Sequence, residues 1–263
     1  MHTPKNPDLA TNGACLLLHG FAGTPFEVRP VQTALIECGI PCHTPTLPGH
    51  DATLDEFKKS TFADWYGAAE REYLALRAEY AKVVVAGFSL GSSLALLLAA
   101  RHSPEGVVAL SPPYGSYLTF ARLHKNWRLL ALPVLKYFIS TIPAGTANPA
   151  SREIAPFEGY EGVQCLAPLN ELMRGLGSLP QELGKIRCPA LLMQDYRDKR
   201  LPPTNSLSIA LRLRSEDITL RYTTIREKVT SHHLITTHRE TRALVGQEVC
   251  AFATRVLGTG ETR

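Results

Sequence analysis

Residues 82–96 read KVVVAGFSLGSSLAL. The run Val83-Val84-Val85 predicts a strand buried on both faces, because a half-exposed strand would alternate apolar with polar residues. From Leu90 to His102 leucines and alanines occur all round, the composition of a buried helix. Between the two lies Gly87-Phe88-Ser89-Leu90-Gly91, a G-x-S-x-G pattern in the strand–turn–helix context that gives the motif meaning. So tight a turn forces the serine backbone into strain, and glycine on either side removes side chains that would collide. The Ser89 hydroxyl is left exposed, beside the amides of the new helix's N-terminus. A tight turn with a capping serine is the plainer alternative. The strong strand before it and the buried helix after it argue against that.

Working outward, short apolar runs alternate with longer helical segments. Residues 14–18 (ACLLL) predict a strand, followed by a glycine-rich turn and a helix from about residue 26 to 38. Residues 40–43 read as a strand, 45–50 as a loop, and 61–80 as a long helix with Thr61 or Asp64 to cap it. Gly106–Leu110 is another strand. From 112 to about 185 the rhythm breaks into scattered prolines and glycines, two helical patches and no clear strand. Alternation resumes with a strand at 190–193, a helix at 204–213, a strand at 218–224 and a last helix at 240–256. This pattern predicts one α/β domain over residues 1–263, a mostly parallel central sheet flanked by helices. Residues 112–185 are expected as an insertion at the carboxyl edge of the sheet, where such folds place their ligand sites.

Composition narrows the function classes. The chain of 263 residues is 44% hydrophobic and 20% charged, as an ordered globular protein is. Its net charge of +4 comes without a block of like charge or basic residues interleaved with aromatics, which argues against a nucleic-acid partner. The six cysteines form no CxxC pair and have no zinc-type spacing with histidine, so no metal site is expected. Reduced thiols in a cytoplasmic protein are the simplest expectation. Residues 1–13 are polar, unlike a secretory signal, and no apolar run reaches the ~18 residues of a membrane span.

The other end of a reacting group's environment is legible at residues 16–25, LLLHGFAGTP. A strand ending in His19-Gly20-Phe21-Ala22-Gly23 can supply an oxyanion hole, which needs two fixed N–H donors. The residue after the nucleophile, Leu90, gives one, and Phe21 is best placed to give the other. His19 precedes the nucleophile in the chain and is read as bracing this loop rather than as a base.

Together H-G-F-A-G, L-P-G-H at 47–50, G-F-S-L-G and S-H-H-L-I-T at 231–236 resemble the bacterial carboxylesterase and monoacylglycerol lipase group of α/β-hydrolases. The resemblance runs from about residue 15 to 252 and is weakest over 112–185, which in the family forms a small cap over the active site. It implies hydrolysis of short- to medium-chain acyl esters or monoacylglycerols through an acyl-enzyme, by a Ser-His-Asp triad with no metal or organic cofactor. Residues 193–203, MQDYRDKRLPP, offer Asp195 and Asp198, and the family's placement of its acid selects Asp198. His232, His233 and His238 are candidates for the base. The family pattern S-G-H-x-I-T selects His233, with His232 where glycine is usual, and His238 is expected on the surface of the last helix. The segment 224–230 is several residues longer than in close relatives.

The expected partner is a small acyl ester. Residues 117–143 mix apolar residues at helical spacing with Arg122, Lys125, Arg128 and Lys136. They are read as a helix pair packing on the core rather than as a lipid-binding surface, though a basic amphipathic cap also fits a membrane surface. Thioester hydrolysis by the same residues stays open, and so does a binding protein on a hydrolase scaffold. A dehalogenase would need aspartate in place of Ser89.

Overall fold

The computed structural model describes residues 13–115 and 130–258. The chain opens with β1 (Gly13–Leu18), a 3-10 turn (Pro25–Val28), α1 (Arg29–Glu37) and β2 (Cys42–His43). Next come α2 (Leu54–Lys59), α3 (Phe62–Glu79), β3 (Lys82–Phe88), α4 (Leu90–His102) and β4 (Gly106–Leu110). After residues 116–129 follow α5 (Leu132–Leu135), β5 (Thr141–Pro143), α6 (Pro149–Ile154), β6 (Val163–Cys165) and α7 (Leu166–Glu182). The chain then runs through β7 (Ala190–Asp195), α8 (Thr204–Ala210), β8 (Ile218–Thr223) and α9 (Arg242–Leu257).

Six strands form one sheet in the order β2-β1-β3-β4-β7-β8, and every adjacent pair is parallel. The pleat sends alternate residues to opposite faces. Leu16, Leu18, Val83, Val85 and Val107 pack in one core with residues of α3, α4 and α7. Leu17, Val84, Ala86 and Val108 pack in a second core with α1 and α9. Both faces are covered, so β3 needs an unbroken valine run. Thr61 and Asp64 cap α3 jointly, each side chain meeting the other's backbone N–H.

The interrupted region differs from expectation in three ways. It holds two short strands, β5 and β6, paired antiparallel and too brief to leave a period. Its last helix, α7, is part of the main core through Met173, Leu176 and Leu179. Val134, Tyr137 and Phe138, expected to face the core, are 61%, 77% and 82% exposed. The part of the basic apolar segment at 117–129, including Arg122, Lys125 and Arg128, lies outside the described residues.

The reduced-thiol expectation is overturned at one pair. Cys38, at the end of α1, is disulfide-bonded to Cys250 in α9 across a sequence separation of 212, with Cα atoms 6.5 Å apart. The cause is packing of α1 beside α9 on one sheet face, which spacing along the chain does not reveal. Among the described residues Cys15, Cys42, Cys165 and Cys188 are free thiols.

Candidate active site

The turn from β3 into α4 places Ser89 at φ 51°, ψ −119°, a conformation that costs an L-residue on the order of 1–3 kcal/mol. The flanking glycines make the turn feasible. A Cβ on Gly87 would lie 2.1 Å from the Gly91 carbonyl oxygen, and one on Gly91 would lie 2.2 Å from that of Leu18. Both clashes are with backbone, so neither can be relieved by a rotamer change. The Ser89 amide is tied to Leu110 O at 2.9 Å, and Ser89 O accepts from the Ser92 amide at the same distance. A buried strand and a buried helix thus grip the bend from both sides, and the half-buried hydroxyl stands out at its apex.

His233 reaches this hydroxyl from the loop before α9. Ser89 Oγ lies 3.1 Å from His233 Nε2, and His233 Nδ1 lies 2.8 Å from Asp198 Oδ2. A proton on Nδ1, donated to Asp198, leaves Nε2 free to accept from the serine hydroxyl. Asp198 is itself tightly held. Its Oδ1 accepts from the amides of Arg200 and Leu201, and its Oδ2 accepts from Gln194 Nε2. The His233 carbonyl accepts from Ser111 Oγ at 3.1 Å, which fixes the histidine's backbone to the end of β4.

Asp195 does something else. It ends β7, wholly buried, and accepts from Thr223 Oγ1 and the amides of Ile225 and Arg197. It therefore secures the chain leaving β8. His232 is at φ 60°, the left-handed region that favours glycine. Its buried ring donates from Nε2 to the Glu227 carbonyl and sets Nδ1 3.5 Å from Asp195 Oδ1. His238 lies ahead of α9, buried rather than exposed, with Nε2 3.3 Å from Glu227 Oε1. Burial alone would raise the Glu227 carboxyl. Donors from Thr230, Val229 and His238 outweigh it and hold the group down to about 2. The segment 224–230 is thus organised about one ionised carboxylate.

The loop after β1 packs against the β3–α4 turn, where a Cβ on Gly91 would lie 2.6 Å from His19 O and one on Gly20 3.3 Å from the Phe88 ring. A turn joins the Gly23 amide to Gly20 O, with Ala22 at φ 61°. His19 braces it as expected: Nδ1–H donates to Gly20 O at 2.9 Å, and Nε2 accepts from the Leu47 amide at 3.0 Å. Burial, then repulsion from His50, pushes its pKa down to about 3, so the ring is neutral. The Phe21 ring is fixed among His50, Phe57 and Trp65. The Leu90 amide is in the first turn of α4, where helix geometry leaves N–H groups without a partner in the helix.

The comparisons with known proteins agree with this architecture. The model of the alpha/beta hydrolase family matches residues 15–243. The chain belongs to that family. A thermostable monoacylglycerol lipase of Bacillus sp. (strain H-257) is 30% identical over 204 residues, covering 76% of this chain and 77% of the relative. A carboxylesterase of Bacillus subtilis (strain 168) is 25% identical over 249 residues, covering 91% of each. Among solved structures, one of the metagenome-derived lipolytic enzymes LipS and LipT superposes with a TM-score of 0.80. It is 22% identical and covers 93% of this chain and 94% of its own.

For a hydrolase of this family, three supporting residues escape the sequence reading. Gln194 bridges Asp198, the carbonyls of Leu201 and Pro202, and Ser206 Oγ. Glu227 organises the histidine loop, and Glu27 lies buried under the first loop. Only Glu27 leaves a trace in the sequence, a lone acid in the otherwise apolar run PFEV. Among the described residues no cluster of three or more His, Cys, Asp or Glu side chains could hold a metal, and no helix is long and apolar enough to cross a membrane.

Proposed function

We propose that this chain is a serine hydrolase of carboxylic esters, with Ser89 as nucleophile, His233 as general base and acid, and Asp198 as the group that orients the imidazole. The observation that carries the reading is the unbroken relay from Ser89 Oγ through His233 to Asp198, at 3.1 and 2.8 Å. His233 takes the serine proton as Oγ attacks the ester carbonyl, then passes it to the departing alcohol. Water, activated by the same imidazole, cleaves the acyl-enzyme. The amides of Phe21 and Leu90 are the donors assigned to the tetrahedral oxygen, and donors fixed before charge develops stabilise it most. Asp198 stays ionised and holds the tautomer that leaves Nε2 basic.

Short- to medium-chain acyl esters and monoacylglycerols are the substrate class, supported by kinship with a lipase and an esterase and by the apolar segment inserted before β7. Residues 112–185 are the inserted cap region that reads the acyl group. The chemistry needs no metal or cofactor, since the relay and two amides supply every proton and charge the reaction calls for.

Hydrolysis of p-nitrophenyl esters of increasing acyl length, by wild type and Ser89→Ala, tests the reading. Wild type should turn over, and the alanine variant should lose about 10⁴-fold or more in kcat with its fold intact. A Ser89→Ala protein as active as wild type would refute it.

A further inference from the structure

The mechanism above makes no use of Glu27, a carboxylic acid only 2% exposed. It is on the 3-10 turn Pro25–Val28, whose start is capped by Thr24 accepting from the Phe26 amide. That turn swings the Glu27 side chain back under residues 20–23. Its Oε2 accepts the Gly20 amide at 2.9 Å. The carboxyl also fills the space that side chains would otherwise occupy. A Cβ on Gly20 would lie 2.9 Å from Oε2, and one on Gly23 would lie 2.1 Å from it. Two glycines and one buried acid thus form a single fitted unit.

We propose that Glu27 is a positioning residue for the oxyanion turn: its carboxyl, seated between Gly20 and Gly23, holds the Gly20 amide and so aims the next amide, that of Phe21, at the ester oxygen over Ser89. The inference rests on the reading of Phe21 as an oxyanion donor and extends it. Each peptide plane is rigid, but the φ and ψ of Gly20 join its own amide to that of Phe21, so holding the Gly20 N–H in place limits how far the next plane can turn. Gly20 lacks a Cβ and would otherwise be free to turn. The turn's outer side is also pinned, because Ala22 O accepts the Tyr160 amide at 2.8 Å and Gly23 bridges to Gly159. From within, His19 Nδ1–H holds the Gly20 carbonyl and Glu27 holds the Gly20 amide.

Burial drives the Glu27 carboxyl up to about 8, against the pull of the Gly20 amide and of Arg200, so it is mostly neutral at pH 7. Glutamine is then its close isostere: same length, uncharged, and with a carbonyl oxygen to accept the Gly20 N–H. Alanine removes the acceptor, and aspartate withdraws it by one methylene.

Steady-state hydrolysis of p-nitrophenyl butyrate is measured for wild type, Glu27→Gln, Glu27→Ala and Glu27→Asp, with hydrogen exchange of the Gly20 amide followed in each protein. Glu27→Gln should keep kcat within about twofold of wild type. Glu27→Ala and Glu27→Asp should lose about tenfold or more in kcat at nearly constant KM, as expected when transition-state binding alone is impaired. Their Gly20 amide should exchange about tenfold faster while that of Glu27→Gln stays protected. Should Glu27→Ala not fold, the aspartate–glutamine comparison decides. Full activity in the aspartate variant, equal losses in glutamine and aspartate, or a loss carried by KM would overturn the proposal. If wild type hydrolyses no ester, the reading of the site fails, and Gly20 exchange still judges the clamp: unchanged protection in the aspartate variant overturns it.

Discussion

His232 and His233 are neighbours in sequence with opposite environments, and backbone geometry separates their roles. His233 faces Ser89, whereas His232 sits at φ 60° with its ring turned into the pocket of Asp195 and Glu227. The left-handed backbone explains why a glycine suits this position in a histidine loop. It also predicts an inversion of the usual order of substitutions. Alanine normally stabilises relative to glycine by limiting the unfolded chain, but at positive φ its Cβ is strained. His232→Gly should therefore be more stable than His232→Ala by about 1 kcal/mol in urea unfolding, since both leave the same vacated ring pocket. Esterase activity should survive in both, while His233→Ala loses about 10⁴-fold. An alanine variant as stable as the glycine one would show that the loop relaxes out of this conformation.

At the scale of elements, α1 and α9 lie together on the sheet face opposite α4, and the Cys38–Cys250 bond joins them. The bond closes a loop of most of the chain, far in sequence from Ser89, and neither cysteine touches the serine–histidine–aspartate relay. A cross-link of this reach acts chiefly by restricting the unfolded ensemble. The double variant Cys38→Ser/Cys250→Ser should lose about 2–4 kcal/mol in denaturant unfolding and keep its kcat. Unchanged stability would mean that the cross-link constrains nothing the packed helices do not already fix. A fall in kcat would mean that the α1–α9 pair supports the site. The element pair illustrates what a sequence withholds. Strands buried on both faces are legible because they leave unbroken runs such as Val83–Val85, and the Ser89 bend is legible because two glycines must flank it. Asp198 and His233 stand out by order and motif. The disulfide, the paired strands β5 and β6, and the seat of Glu227 depend on partners brought close only by folding, so no local pattern encodes them, and the lone acid in PFEV marks Glu27 without naming what it meets.

At the scale of the whole molecule, four groups with strongly displaced pKa values, three of them buried, contribute to how stability follows pH. His19 and His50 are held neutral by burial, down to about 3 and about 4, where unfolded histidine titrates at 6.5. Below 6.5 the unfolded chain takes up protons that the fold refuses, so this part of the stability is lost as pH falls towards 4 and then 3. Glu227, held at about 2 against an ordinary 4.5, adds a loss between those values. Glu27 acts with the opposite sign. Its folded value of about 8 lies above the ordinary 4.5, so the fold keeps a proton that the unfolded chain has released, and stability declines as pH rises from 4.5 to about 8. Between 4.5 and 6.5 the two histidines outweigh the one glutamate. These four groups together therefore place maximal stability near 6.5, with the alkaline decline due to Glu27. Glu27→Gln cannot ionise. The Tm of wild type should fall relative to that of Glu27→Gln as pH is raised from about 5 to about 8, and the gap should stop widening above that. Thermal unfolding of both proteins across this range measures it, and two parallel curves would mean that Glu27 is already ionised in the fold at pH 5.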